Sequence, residues 1–378
     1  MPDVLIHADT FRSPELRHEV PLGVPDPFLY AEVGGVRHIA IGSMEIARIA
    51  EVGSYELHPS EEFGSDELIA SGLASDEIRR EIPVRAVKSF GVTSAVVPET
   101  FPLWLADRLR AAGIELTVDG EFFDERRRVK TAAELAGIRR AQRAAEAGMD
   151  AARELFRRAA GNGDGLVVDG SQLTVERVKT AMAQAFAAHG TSADDFIVAP
   201  GPQGAVGHDM GSGPIRAGVP IVIDVWPRDI ETACFADMTR TFVIGDVSAD
   251  VARWHGLCRQ ALDEAVSVIR AGTAGRTVYD LTCDIFEAAG EPTQRTKEAG
   301  TTLADGFFHG LGHGVGLEVH EEPGLGLASK TALRTGDVVT VEPGLYRQGV
   351  GGVRLEDLVL VTDAGAENLT QYPYDLEP

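Results

Sequence analysis

IVIDVWPRDIETACFADMTRTFVI, residues 221–244, carries two acidic side chains on two apolar runs. The run IVID closes on Asp224, and CFADMTRTFVI holds Asp237, with Pro227 and the polar residues of PRDIET between them. A turn-rich interval between two β-favouring runs predicts two strands joined by a turn. Alternation along the second strand puts Asp237 on the side of Phe235, Thr239 and Thr241, and turns Cys234 and Arg240 the other way. Cys234 is thereby a poor ligand candidate.

Three more acidic or imidazole side chains follow downstream. His313 belongs to FFHGLGHGVGLEVHEEP, residues 307–323, where Gly310, Gly312, Gly314 and Gly316 recur at every second position. Each would cost a helix about 1 kcal/mol, so a strand or loop is expected, one in which backbone can approach a bound group closely. Glu342 ends the run DVVTVE and is followed by Pro343 and Gly344, a turn signal, so it projects from a strand end. Glu356 lies in GGVRLEDLVLV, a run apolar enough for a strand buried on both faces. Arg354, two residues earlier and on the same side, is placed to orient or charge-balance that carboxylate.

If the fold gathers these side chains, their charges must be neutralised. Two carboxylates about 4 Å apart repel by roughly 4 kcal/mol at an effective dielectric of about 20. Two divalent cations cancel four negative charges. A set of four carboxylates, one imidazole and no thiolate suits hard or borderline ions such as Mn, Co or Fe(II).

Around this constellation the chain is an ordinary globular sequence. At 378 residues it exceeds one typical core, and 44% of its residues are hydrophobic. Residues 1–125 mix short apolar runs (RHIAI, SAVVP) with helical stretches (SMEIARIAE, ETFPLWLADRLRAAG), as a small α/β domain would. The charged stretch DERRRVK, residues 124–130, is the candidate boundary. From Thr131 a long helix is expected, with Leu135, Ile138, Ala141 and Ala145 at helical spacing. Further helices are expected near LTVERVKTAMAQAFAAHG, VARWHGLCRQALDEAVSVIRAG and TVYDLTCDIFEAAG, and GNGDG at 161–165 reads as an exposed turn.

Composition excludes several classes. A net charge of −23 argues against nucleic acid and against an anionic membrane as partners. No apolar run is long enough to span a bilayer, and the start MPDVLIHADTFRSPE lacks a basic segment followed by an apolar core. Three cysteines at no repeating spacing suit a reducing cytoplasm rather than a disulfide framework.

The order Asp224, Asp237, His313, Glu342, Glu356 resembles that of the pita-bread metallopeptidases, which include methionine aminopeptidase, aminopeptidase P and prolidase, together with the metal-free creatinase. The match spans roughly residues 129–360 and begins with RRVKTAAELAGIRRA. Three histidines extend it toward the aminopeptidase P and prolidase branch: His208 in APGPQGAVGHDM, His309 opening HGLGH, and His320 ahead of EEP. The resemblance implies an α/β fold with a small N-terminal creatinase-type domain, residues 1–125, and a pita-bread catalytic domain, residues 126–378. It implies that the five residues hold two divalent ions, Mn first with Co, Zn or Fe as alternatives. Glu342 would then accept the proton of the attacking water and pass it to the leaving amine, His309 and His320 would steady the tetrahedral oxyanion, and His208 would position substrate. The substrate implied is a peptide with a free N-terminus and proline second, bound by a homodimer.

The sequence departs from the family near the first two acids, where Trp226 stands in place of a small residue and Cys234–Phe235 in place of a Gly-Tyr pair. These positions bear on substrate fit, not on the ligand set. Two rivals follow from the same fold: a creatinase-like hydrolase of small C–N substrates, and a non-enzymatic binding protein. Both predict lost ligand positions, and all five are present. His7, His18, His38, His58, His189 and His255 fall in no motif and receive no role.

Overall fold

The computed structural model describes residues 2–162 and 165–378. The chain divides into two compact units, Met1–Arg127 and Arg128–Pro378.

In the first unit, alternation in apolar strands produces a sheet covered on both faces. Val4 and Ile6 of the strand Val4–Ala8 pack with Tyr30 and Ile39, whereas Leu5 packs with Leu29, Ala31 and Val87 on the opposite face. The sheet has six strands in the order Glu56–Pro59, Val36–Ile41, Phe28–Val33, Val4–Ala8, Ser94–Val97, Glu115–Val118. Gly34 and Gly35, both with positive φ, make the tight turn between Phe28–Val33 and Val36–Ile41. A helix absent from the sequence reading, Ser75–Ser89, contains Pro83. The stretch SMEIARIAE is a 3-10 turn, Ser43–Glu45, followed by only one helical turn, Ile46–Ile49.

The second unit begins with the expected long helix, Ala132–Arg157. Thr131 caps it: its hydroxyl accepts from Glu134 N, and the Glu134 side chain accepts from Thr131 N. Ile138, Ala141 and Ala145 are buried along one stripe of this helix. Ahead of it runs the charged stretch DERRRVK, residues 124–130. It contains the end of the helix Gly120–Arg128, and Arg128 is buried against Asp337 in a two-point ion pair at 3.0 and 2.7 Å. The remaining helices, Val175–Ala188, Ala249–Val268 and Gly275–Ala288, lie where the periodicity puts them. Ala160–Asn162 pairs with Gly165–Val168, and two residues of the expected turn, 163 and 164, lie outside the described residues.

Two sheets of this unit carry or adjoin the five candidate metal ligands. One is antiparallel with three strands, Ile197–Pro200, Pro220–Val225 and Met238–Val243, in that order. The other has five, in the order Glu321–Leu325, Gly312–Gly314, Val338–Val341, Asp357–Val361, Ala366–Asn368. The helices Ala132–Arg157 and Val175–Ala188 share a core with the first sheet. The helices Ala249–Val268 and Gly275–Ala288 share one with strands of the second and with the hairpin Gly344–Arg347/Gly351–Arg354. One expected strand is broken: GGVRLEDLVLV forms Gly351–Arg354 and Asp357–Val361, separated at Leu355 and Glu356. The break arises because Glu356 N bonds across to Thr239 O, at 3.0 Å, in the other sheet.

Candidate metal centre and catalytic cleft

Register fixes the acidic side chains. Asp224, in the central strand Pro220–Val225, stands opposite Thr239, and Asp237 immediately precedes the strand Met238–Val243. The predicted alternation is observed beyond it: the Thr239 hydroxyl donates to Glu356 Oε2 at 2.7 Å, while Arg240 turns away to Asp357 at 2.9 Å. Arg240 and Asp357 are each only 1% exposed, and Arg240 also donates to the Glu356 carbonyl at 2.7 Å, which locks the backbone that presents Glu356. Losing one partner of such a pair costs about 3–5 kcal/mol.

His313 sits on the short strand Gly312–Gly314, with its N–H donating to Thr340 Oγ1 at 3.1 Å. A Cβ at Gly312 would lie 2.0 Å from the Thr340 carbonyl oxygen, so only glycine lets the two strands approach this closely. The His313 ring places Nδ1 3.1 Å from the Gly314 carbonyl, which directs Nε2 toward Glu342 Oε1 at 3.5 Å and Asp237 Oδ2 at 3.8 Å. Glu342 follows the strand Val338–Val341, and its N–H donates to Leu311 O at 2.8 Å.

All eight singled-out acidic and histidine side chains line one cleft of about 640 Å³: His208, Asp224, Asp237, His309, His313, His320, Glu342 and Glu356. Ligand atoms of Asp237, His313 and Glu356 lie within 4.8 Å of one another. Asp224 Oδ1 and Asp237 Oδ1 are buried without a hydrogen-bond partner. Burial, reinforced by the neighbouring carboxylates, pushes Asp237 and Glu356 well above the usual carboxylate range, and burial likewise takes Glu342 up to about 8. Buried, crowded carboxylates with unpartnered oxygens are what a cation would relieve, so the donor set fits divalent metal. Burial also lowers His313 to about 4, leaving its imidazole neutral and able to donate a lone pair.

Arg354 serves Glu356 at one remove, through its charge and through a shared hydroxyl. Its guanidinium does not pair directly with Glu356. It bonds Asp224 Oδ2 through Nη2, and reaches Glu356 only through Thr239, to whose hydroxyl Nε donates at 3.2 Å.

Tyr346 is a further cleft-side group that the sequence reading missed. Arg354 Nη1 donates to its hydroxyl at 2.8 Å, and that hydroxyl is 2.9 Å from His309 Nε2. His309 Nδ1 lies 2.6 Å from the Gly310 carbonyl, so both ring nitrogens are engaged, and burial followed by the Arg354 charge lowers this imidazole to about 3. The signal available was position: Tyr346 is two residues past Gly344, on the strand that leaves the Glu342 turn. Trp226, Phe308 and Met210 also line the cleft, whereas Cys234 is fully buried in an apolar cluster elsewhere.

Comparison with known proteins matches residues 136–363 to the model of metallopeptidase family M24. The Xaa-Pro dipeptidase of Pyrococcus furiosus is 34% identical over 183 residues, 48% of this chain and 49% of that protein. The chain thus spans about half the length of the curated relatives it matches. Among solved structures, the Xaa-Pro dipeptidase from Bacillus anthracis aligns at a TM-score of 0.79 with 23% identity, covering 100% of this chain and 94% of that one. The X-Pro aminopeptidase from Thermotoga maritima also aligns at 0.79, with 21% identity and coverage of 100% and 97%. At these identities the structural likeness establishes the α/β pita-bread fold.

Proposed function

The chain belongs to metallopeptidase family M24, and from that premise we propose that it is a two-metal exopeptidase that hydrolyses the amide bond after the N-terminal residue of Xaa-Pro peptides, in the manner of aminopeptidase P or prolidase. The observation that carries the proposal is the convergence of Asp224, Asp237, His313, Glu342 and Glu356 on one cleft, with two buried carboxylate oxygens unpartnered. We assign those five as the ligands. Divalent ions held there, Mn first among them with Co, Zn or Fe as alternatives, would lower the pKa of a bound water and polarise the scissile carbonyl. The two relatives and neighbours named for Xaa-Pro substrates support the substrate class.

The chain's own residues do the rest. Glu342 stands nearest His313 of the carboxylates and takes the proton from the attacking water, later returning it to the leaving amine. His320 and His309 steady the oxyanion, and the Tyr346 hydroxyl, itself held by Arg354, orients the His309 ring. His208 holds the substrate, and Trp226 and Phe308 wall the cleft it enters. Arg354 orients Asp224. We assign residues 1–125 to a creatinase-like domain and residues 126–378 to the catalytic one, acting as a homodimer. Three free, buried cysteines support a cytoplasmic setting, and no helix among the described residues is long and apolar enough to cross a membrane.

A peptide panel tests the proposal. With Mn added, Ala-Pro and Ala-Pro-Ala are expected to lose their first residue while Ala-Ala-Ala is cut far more slowly, and exhaustive chelation is expected to stop all cleavage. Cleavage of Ala-Pro alone marks a dipeptidase. Full activity after metal removal would support the creatinase-like alternative and sink this one.

A further inference from the structure

We propose that the buried ion pair between Lys130 and Glu321 is a clamp that holds the segment Gly316–His320 and so sets the position of the His320 ring over the cleft. The inference rests on the assignment of His320 to the oxyanion above, and makes Lys130 and Glu321 positioning residues.

The segment between the strands Gly312–Gly314 and Glu321–Leu325 has no regular structure, so something other than a ladder must fix it. Its own carboxylate does so. Glu321 Oε1 accepts from Leu317 N at 2.9 Å and from Glu318 N at 3.2 Å, closing the segment on itself. Glu321 Oε2 pairs with Lys130 Nζ, and the two side chains are only 3% and 5% exposed. Space is equally restricted at the start of the segment: a Cβ on Gly316 would lie 2.6 Å from both Glu321 Oε2 and Lys130 Nζ. The Gly316 carbonyl is held in turn by Phe235 N at 2.8 Å.

Lys130 itself is anchored, because the next residue, Thr131, is the cap of the long helix Ala132–Arg157. The clamp therefore ties the loop to the capped start of a 26-residue helix. At the other end of the tie, His320 is the residue adjacent to Glu321, and its ring centroid lies 4.2 Å from that of His313. Removing the lysine charge takes away the cation that holds Glu321 Oε2, and the carboxylate then takes up a proton or shifts toward water, loosening its hold on the segment in either case. A displacement near 1 Å in a catalytic group costs on the order of 100-fold in rate.

The test is a double-mutant cycle with a spectroscopic arm, on the full chain. Lys130→Met is expected to lower kcat by about 10- to 100-fold with KM nearly unchanged, and Lys130→Arg to recover most of the loss. His320→Ala alone is expected to cost about 100-fold. Combined with it, Lys130→Met is expected to add little further loss, because both changes remove one function. In metal-free protein the His320 ring resonances are expected to move in Lys130→Met while those of His255 stay in place. Where Lys130→Met does not fold, Glu321→Gln carries the same measurements. Additive losses in the cycle, or unmoved His320 resonances, overturn the clamp. Wild-type protein that cleaves no Xaa-Pro peptide would count against the function proposed above, and the resonances would still decide the clamp.

Discussion

Glu342 has its backbone fixed by Leu311 and its carboxylate 3.5 Å from the His313 ring, inside a cleft that also holds Asp224 and Glu356. Replacing it by Gln keeps the shape and removes both the charge and the proton acceptor. Glu342→Gln is expected to lower kcat by more than about 100-fold, read from Ala-Pro hydrolysis at saturating Mn, and normal turnover would exclude Glu342 from the proton transfer. Residues of this kind were legible in the sequence because each stands at a recognisable end: Asp224 closes an apolar run, Glu342 precedes Pro-Gly, His313 lies among glycines. Tyr346 and Thr239 were not given roles, because each is an ordinary strand residue whose meaning comes from partners far away in sequence. Thr239 meets Glu356 117 positions later, and Tyr346 meets His309 37 positions earlier.

At the scale of elements, the strand-forming runs and the four long helices described in the second unit were readable from composition and periodicity, and the misses have local physical causes. Pro83 lacks the N–H a helix interior requires, and this hid the helix Ser75–Ser89. The run GGVRLEDLVLV reads as one strand because every residue in it is buried or nearly so. Its break at Leu355–Glu356 depends on a bond to Thr239, in a strand more than 100 residues earlier. That break is functional geometry, since it is what frees Glu356 to face the cleft. The close approach of Gly312–Gly314 to Val338–Val341 is the complementary case, where a glycine signal in the sequence does report a backbone contact. Gly312→Ala is expected to destabilise the protein by about 1–3 kcal/mol in urea titration and to weaken metal uptake, because the strand carrying His313 must shift away from Thr340. Wild-type stability and metal affinity in that variant would contradict the packing described here.

For the whole molecule, the net charge of −23 belongs to all 58 acidic residues, whereas the cleft gathers four of them, Asp224, Asp237, Glu342 and Glu356, in a buried setting that a cation would relieve. Length and composition indicated two units, and family resemblance supplied the catalytic one. Neither could supply the bonds that join Arg240 to Asp357 and Arg354 to Asp224, because these depend on how the two sheets and the hairpin Gly344–Arg347/Gly351–Arg354 of the second unit meet. The claim on which the rest depends is that these sheets build a cage for a pair of ions. Calorimetric titration of chelator-stripped protein with Mn, checked by elemental analysis after dialysis, addresses it directly. Uptake of two ions per chain, reduced in Asp237→Asn, is the expected result, and a chain that takes up no ions stoichiometrically would contradict it.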